Sequence, residues 1–454
     1  MSISAYADDI LLFMSYPTGL QFLLNEADSF LAKCNLNINT SKSFTISLST
    51  DAKNKKIKVD SALSFKINNS PLKSLKVNDS FKYLGVNFSA KGLLTVDCGP
   101  TLKDDLLKLK SVPLKPQQRL WILNNTLLPK LFHLLVLSSV PAGKLCKLDS
   151  TIHAFVRGVL YLPGDCPNSY IHASVADGGL GVPSLRVSVP SCRLSRLGSL
   201  GAVINPKAYF SETLYQSVDG RALSDSPKTK YQNDWVRSRN RFLSGRDFIN
   251  LIKTRINCLP IASRCARGRP AKDKYCRAGC PRKETLNHIS QACPRTHGKR
   301  IARHNAVANY LKRALDNRGY EVYSEPWYPT SLGKLKPDLI AKKTSKILVI
   351  DAQVVGESVD LRRANSRKIS YYRDNHELDD SIHKQHGTPD ISYIGATLNL
   401  RGIWSDKSAS DLIDKFKVIN RSHLPVISTR VLVGTFAQFT MFSRSTVRTN
   451  RYCS

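Results

Sequence analysis

The stretch Lys336-Pro337-Asp338-Leu339-Ile340-Ala341, followed by Ile347-Leu348-Val349-Ile350-Asp351-Ala352-Gln353-Val354-Val355, decides how the C-terminal third folds. Residues 346–355 form a short run rich in β-branched side chains, bounded by Ser345 and Gly356, and read as a buried strand. Leu335 to Ala341 read as its partner. A turn at Thr344-Ser345 sets a register that puts Asp338 directly opposite Asp351. Like charges facing each other across a ladder are destabilising, and burying either one unpaired costs roughly several kcal/mol. A divalent cation between them removes both objections. The pattern predicts a Mg²⁺ site of the kind nucleases use, against the plainer reading of two unrelated strand-end aspartates.

Composition narrows the class of protein. The 454 residues suffice for two to four domains, and 42% hydrophobic residues supply cores. A formal net charge of +33 points to a polyanionic partner, of which nucleic acid is the commonest. No long basic amphipathic helix with a Trp/Phe face stands out, which argues against a membrane-surface protein. The most apolar run, Leu127 to Val140, is interrupted by Pro129, Lys130 and His133, so no membrane span is expected. Asp8-Asp9 break the apolar N-terminus, which is therefore not read as a signal peptide. Eleven cysteines, scattered except for one cluster, suit a reducing compartment and a metal site.

That cluster is Cys276-x3-Cys280-x7-His288-x4-Cys293. Four soft ligands within eighteen residues suit a closed tetrahedral Zn²⁺ site, around which one loop can fold without a large core. From Arg264 to Arg313 fourteen Lys and Arg stand against two acids, a density that would release counterions from a phosphate backbone. Arg264, Arg267, Arg269, Lys272, Lys299, Arg300 and Arg303 are the candidate nucleic-acid contacts. A zinc that only staples a small subdomain fits the same residues.

The N-terminal residues Ile3 to Phe13 read as a hairpin with Asp8 and Asp9 at its tip. Gly19 to Cys34 has helical periodicity, Phe44 to Leu48 reads as a strand after Lys42, and Phe81-Lys82-Tyr83-Leu84-Gly85 as another. This order resembles the back half of a reverse-transcriptase palm: a Tyr-Ala-Asp-Asp metal turn, a helix, a Lys-bearing strand and a Tyr-Leu-Gly primer grip. Two-metal polymerase chemistry needs a further carboxylate from an earlier strand, and residues 1–5 leave no room for it. The chain is therefore expected to be a C-terminal fragment without polymerase activity of its own. Residues 100–200 read as mostly helical, with Pro129 kinking one helix and Leu145 to Tyr161 forming another. Residues 201–235 read as a linker, and helical periodicity resumes from Phe242 to Ile256, ending in Arg255-Ile256-Asn257-Cys258-Leu259-Pro260.

In the last third, Ile301 to Leu315 reads as a helix, Glu321 to Ser324 as a strand, then the two aspartate strands, a helix from Val359 to Tyr372 and a strand from Ser392 to Leu398. This order resembles the core of the restriction-enzyme-like nucleases, whose motif is Pro-Asp, a spacer, then Asp/Glu-x-Lys. Gln353 stands in the lysine position, on the same strand face as Asp351. A cation is still expected near the transferred phosphate. Lys368, on the following helix, is the candidate, with Tyr372 one turn further along the same face.

Taken together, Tyr6-Ala7-Asp8-Asp9, Arg255 to Pro260, the Cys-Cys-His-Cys cluster, Pro337-Asp338…Asp351 and Leu398-Asn399-Leu400-Arg401-Gly402-Ile403-Trp404 resemble, in order, the Pol-like protein of the R-two group of non-LTR retrotransposons, the type-1 retrotransposable elements. The resemblance implies target-primed reverse transcription. An endonuclease nicks chromosomal DNA in the ribosomal RNA genes, and an RNA-directed DNA polymerase extends the freed 3′-hydroxyl along the element RNA. By resemblance Asp8 and Asp9 would hold polymerase Mg²⁺, and Asp338 and Asp351 nuclease Mg²⁺ with Lys368 and Tyr372 assisting. Cys276, Cys280, His288 and Cys293 would hold structural Zn²⁺, and Arg255 and Asn257 would help present the target. The expected fold is multidomain, α/β and α: a palm remnant at 1–95, a helical thumb-like region at 96–205, a linker at 206–263, a basic zinc module at 264–300 and a restriction-endonuclease-like α/β core at 301–454. Double-stranded target DNA, the element RNA and a second copy of the chain are the expected partners, with no membrane, in the nucleus. Only the nuclease site has all its expected residues. The alternative is a nucleic-acid-binding remnant without turnover.

Overall fold

The computed structural model describes residues 2–51, 56–90, 92–94, 96–196, 206–237, 243–269, 273–331, 333–344, 346–387 and 390–446. Lys272, Phe242 and Ser345 lie outside them. The chain divides into two compact units, one made of 1–102, 129–148 and 189–200, the other of 103–128, 149–188 and 201–454.

The first unit opens with β1 (Ser2–Tyr6) and β2 (Asp9–Phe13), an antiparallel pair in which Tyr6 faces Asp9. Ala7 and Asp8 make the two-residue turn, Ala7 at φ 53°, and both aspartates are exposed. The expected hairpin tip is present. Helix α1 (Pro17–Lys33) starts on a proline whose missing N–H costs nothing in a first turn. Its Leu24 joins Phe65, Ile67 and Leu72 in a small core, with Leu12 and Leu20 packed against it. Strands β3 (Ser80–Tyr83) and β4 (Val86–Ser89) pair through a turn at Leu84 and Gly85, both in the left-handed region, the geometry that matches strand twist. The expected Tyr-Leu-Gly strand is thus a strand ending in a turn.

A helical run α2 (Pro116–Leu137) contains a π-helical segment, Leu123–Leu127, just before Pro129. A proline cannot donate to the carbonyl four residues back, and the wider turn ahead of it accommodates the ring. By length and composition this run could cross a membrane, which the interrupted stretch from Leu127 did not suggest. Within the protein Leu123, Leu128 and Leu131 are nonetheless buried. Helix α3 (Ala142–Leu160) follows.

The expected linker is a correction. Residues 206–216 form α4 (Pro206–Gln216), and residues 217–237 coil through short 3₁₀ turns with Leu223, Trp235, Gln232 and Asn233 buried. The polar pair holds the coil: Gln232 donates to the carbonyls of Ser226 and Thr229, and Asn233 to Ala176 O. Helix α5 (Gly245–Arg255) starts at Ser244, whose hydroxyl accepts from Asp247 N.

The C-terminal part is built on a four-stranded sheet, β5 (Glu321–Ser324), β6 (Leu339–Lys343), β7 (Lys346–Val355) and β8 (Asp390–Asn399), in that spatial order. The first three are antiparallel and β7–β8 is parallel. Strand β7 matches the expected span. Its partner is shorter than expected: Leu335 pairs with Tyr328 in a separate hairpin, and Pro337, which has no N–H to give a ladder, separates the two.

Alternation along β7 divides the two faces. Leu348, Ile350 and Ala352 pack against Val307, Leu311 and Leu315 of α6 (His297–Asp316) and Ile427 and Val431 of α7 (His423–Ser445). Ile347 and Val349 pack with Tyr372, Leu378 and Ile382 of the crossover helices α8 (Leu361–Arg373) and α9 (His376–His386). Asp360 caps α8 by accepting from Arg363 N at 2.6 Å. The parallel pair β7–β8 requires such a crossover, and the crossover is what carries Lys368 and Tyr372 to the sheet.

Candidate functional site

Leu339 pairs with Ile350, so one step further along the ladder Asp338 stands across from Asp351. Asp338 Oδ2 accepts from Ala352 N at 2.7 Å, which fixes the carboxylate at the strand mouth. Asp351 is 4% exposed. Its Oδ1 lies 3.1 Å from Lys368 Nζ and its Oδ2 accepts from the Tyr372 hydroxyl at 2.6 Å. Burial, then the facing charge of Asp338, raises the Asp351 carboxyl to about 6, against the opposing pull of Lys368 and Tyr372. Lys368 Nζ also lies over the Tyr372 ring, 5.3 Å from its centroid, and its side chain is 31% exposed. It reaches the carboxylate and solvent at once. The structure therefore brings Asp338, Asp351, Lys368 and Tyr372 together.

Gln353 cannot stand in for a lysine here. Its amide donates to Ala364 O at 3.0 Å and Thr397 Oγ1 at 2.8 Å, tying β7 to α8 and β8.

One member of the site was not expected. His304, on α6, places Nε2 3.0 Å from Asp338 Oδ2 and 2.9 Å from Ala352 O. The bond to Asp338 raises its pKa to about 9. Ligand atoms of His304, Asp338 and Asp351 all lie within 4.8 Å of one another. No local signal marks this histidine, which sits among basic residues far from Asp338 in sequence.

The second gathering is Cys276, Cys280, His288 and Cys293, again within 4.8 Å. Cys280 and Cys293 Sγ are 4.0 Å apart, near the roughly 3.8 Å that 2.3 Å Zn–S bonds impose on tetrahedral neighbours. Both ring nitrogens of His288 are buried without a hydrogen-bond partner, an expensive state for an imidazole unless a cation takes one. The residues fit Zn²⁺. Glu284, fully buried, accepts from Ala262 N at 2.9 Å, Arg277 N at 3.1 Å and the Arg277 guanidinium at 2.9 Å, bracing the loop that carries Cys276 and Cys280.

Among the described residues, neither gathering of metal-ligating side chains includes Asp8 or Asp9.

Several expected nucleic-acid contacts are corrected. Arg255 is 1% exposed; its guanidinium donates to Arg401 O at 2.7 Å and to Asn233 Oδ1. Arg401 answers by donating to Thr254 O and Arg255 O, both at 3.0 Å. Arg264 is buried on Asp219 and Asp165, and Asn257 donates to Asp219 Oδ1. Arg303 is buried among Ser290, Thr435 and Gln438. These cations hold the chain together and are not free to meet a phosphate. Arg300 donates to Gln291 O and is half-buried, and Arg267 is paired with Asp219. Arg269 and Lys299 are exposed.

Comparison with known proteins bears on the chain as a whole. Residues 1–88 match the family of reverse transcriptases, RNA-dependent DNA polymerases. The chain is 38% identical, over 97% of its length, to the retrovirus-related Pol polyprotein from the type-2 retrotransposable element R2DM of Drosophila melanogaster, of which the match covers 44%. The corresponding protein of the type-1 element R2 of Nasonia vitripennis is 34% identical over 98% of the chain and 46% of the relative. One from Popillia japonica is 29% identical and matches over 97% of the chain and 98% of its own length. The chain belongs to the R2 retrotransposon Pol family. It spans about half the length of the Drosophila and Nasonia relatives. Within an R2 Pol protein, residues 1–88 fall in the reverse-transcriptase portion, and the sheet carrying Asp338 and Asp351 lies outside that match.

Proposed function

We propose that this R2 Pol chain is a metal-dependent DNA endonuclease, part of a retrotransposon RNA-directed DNA polymerase that nicks ribosomal RNA gene DNA and primes reverse transcription of the element RNA at the nick. The observation that carries it is the facing pair Asp338 and Asp351, served on one side by Lys368 and Tyr372. The sheet and its flanking helices support the restriction-endonuclease-like reading of 301–454.

In the reaction, water adds to phosphorus and the 3′-oxygen leaves, giving a 5′-phosphate and the 3′-hydroxyl that a polymerase can extend. Bound Mg²⁺ would supply positive charge to the transferred phosphoryl group and acidify the attacking water. Asp338 and Asp351 would hold it. Tyr372 holds the Asp351 carboxylate in one orientation. Lys368, in contact with both Asp351 and solvent, offsets charge as it develops on the phosphoryl oxygens. Exposed Arg269 and Lys299 supply backbone contacts near the zinc cluster, which staples the loop to its neighbours. Target DNA, element RNA and a second copy of the chain are the partners, and the nucleus is the place of action.

The test is nicking of supercoiled plasmid carrying the target, with Mg²⁺ and with chelator. Nicking that requires Mg²⁺ and disappears in Asp351→Ala, with the melting transition retained, is expected. Cleavage that persists in chelator, or in Asp351→Ala, would sink the reading. A nucleic-acid-binding remnant would bind in a salt-sensitive manner and cut at no metal concentration.

The reverse-transcriptase match favours a second role for Asp8 and Asp9 as polymerase metal ligands at the hairpin tip. Primer extension on an RNA template, compared with Asp8→Ala, tests that role; extension that survives the substitution would rule it out.

A further inference from the structure

Three electron-rich atoms converge at the mouth of the sheet. Nε2 of His304 lies 3.0 Å from Asp338 Oδ2 and 2.9 Å from Ala352 O. Its other nitrogen, Nδ1, is 3.1 Å from Asn305 Oδ1. An amide oxygen only accepts, so Nδ1 carries the hydrogen in that contact; without a metal Nε2 is protonated too and donates to Asp338, and a cation bound there takes the place of that proton on the Nε2 lone pair. A lone pair aimed at a carboxylate and a carbonyl is repelled by both unless a positive centre sits among them. A second-partner hydrogen bond of this kind is what fixes the tautomer of metal-ligating histidines.

The helix holds the ring there firmly. Val307, Leu311 and Leu315 anchor α6 in the core with no exposed surface. The imidazole, 33% exposed, remains open to solvent on its outer side. Asp351 approaches from the other face of the sheet, and its carboxylate completes a set of three ligand atoms within 4.8 Å.

We propose that His304 is a third protein ligand of the cation held by Asp338 and Asp351, and that its nitrogen gives the site a preference for Mn²⁺ over Mg²⁺. This rests on the nuclease reading above. Carboxylate and carbonyl oxygens serve both ions, whereas imidazole favours transition metals, and Mg²⁺ tends to keep its waters and to bind through one or two carboxylates. A proton on Nε2 is the competing way to satisfy the same three atoms. It would make His304 a salt-bridge partner of Asp338 that metal must displace.

The two alternatives separate in direct metal binding. With the Cys276–Cys293 cluster loaded with zinc, Mn²⁺ is titrated into wild type, His304→Gln and Asp351→Ala and followed by electron paramagnetic resonance, with Mg²⁺ as competitor. The pulsed spectrum of bound Mn²⁺ is read for the ¹⁴N coupling of a coordinated imidazole. Wild type is expected to show that coupling, and His304→Gln to lose it while binding Mn²⁺ roughly tenfold or more weakly, with a smaller effect on Mg²⁺. Glutamine keeps an N–H for Asp338 and Ala352 O, so a purely structural histidine would leave affinity unchanged. Absence of the nitrogen coupling in wild type overturns the proposal whatever the variant does. Unchanged Mn²⁺ affinity in His304→Gln overturns it too; the nuclease reading stands if Asp351→Ala still abolishes binding. A wild-type chain that binds neither ion overturns both.

Discussion

Tyr372 donates to Asp351 Oδ2 at 2.6 Å, which leaves Oδ1 to Lys368 at 3.1 Å. One carboxylate is thus gripped on both oxygens by side chains a turn apart on the same helix. A hydrogen bond to a charged group is worth about 1.5–3 kcal/mol, and Tyr372→Phe removes one while keeping the ring in its pocket. Single-turnover nicking is expected to slow roughly tenfold or more, with the melting temperature lowered by about a few degrees. A rate equal to wild type would show that the orientation of Asp351 does not depend on the phenol.

Lys368→Met should cost more. Removing one group aimed at developing charge lowers rates by about 10²–10³. The same variant should leave binding to uncut DNA nearly intact, because a single cation contributes little to overall affinity. The comparison requires nicking rates and a binding isotherm on one preparation.

The Cys-Cys-His-Cys cluster is tied to the surrounding apolar packing. Cys276 and Cys293 share a core with Leu259, Leu286, Ile289, Leu400 and Phe442. Elemental analysis is expected to find about one Zn²⁺ per chain. Chelation, or Cys293→Ser, should lower the melting temperature and expose this core to a hydrophobic dye. A preparation free of zinc that melts at the same temperature contradicts the assignment.

Two cations close in sequence are expected to behave oppositely. Arg303→Ala leaves Gln438 and Thr435 oxygens buried with a partner lost, and should destabilise the fold by about 2–4 kcal/mol. Lys299→Ala should leave denaturation unchanged and reduce the salt dependence of DNA binding by about one phosphate contact. Urea melts paired with salt titrations of binding decide both.

Acid should loosen the second unit through a histidine pair. His153 and His172 meet Nε2 to Nε2 at 2.7 Å, and His172 Nδ1 donates to Val182 O at 2.8 Å. Burial, then the neighbouring His172, lowers His153 to about 4. The unfolded chain binds this proton at the ordinary histidine value, 6.5, and the folded chain only near 4. The pair's contribution is complete above that ordinary value and is lost as pH falls toward 4. His153→Gln should flatten this part of the curve of melting temperature against pH; an unchanged slope between pH 7 and 5 would rule the pair out.

The aspartate site was largely legible because its determinants are local. A run of ten buried or half-buried residues can hardly be anything but an inner strand, and the tight connection to its neighbour fixes which residues face each other. Lys368 is the candidate cation because Gln353 stands where the motif has lysine, and helical spacing puts Tyr372 on its face. His304 was not legible, because its partner comes from a different element and nothing near it in sequence distinguishes it. The basic stretch misled in the opposite direction. Charge is visible in a sequence, but the acceptors that bury Arg255 come from Arg401 and Asn233, which no pattern around Arg255 announces. The stretch 206–237 looked like a linker because its core is secured by Gln232 and Asn233, polar residues that leave no hydrophobic period.

Thr397 gives the parallel strand pair a consequence for timing. Its hydroxyl accepts from Gln353 on β7 and donates to Asn365 on α8, both at 2.8 Å, while Gly395 beside it leaves no room for a side chain against Asn365. The helix that presents Lys368 and Tyr372 is therefore latched by the last strand of the sheet. During synthesis, a nascent chain that has not yet delivered Asp390–Asn399 holds every residue assigned to cutting, but not the latch that aligns them. On the proposed reading, the site is assembled only once β8 has docked, after every one of its own residues has been made.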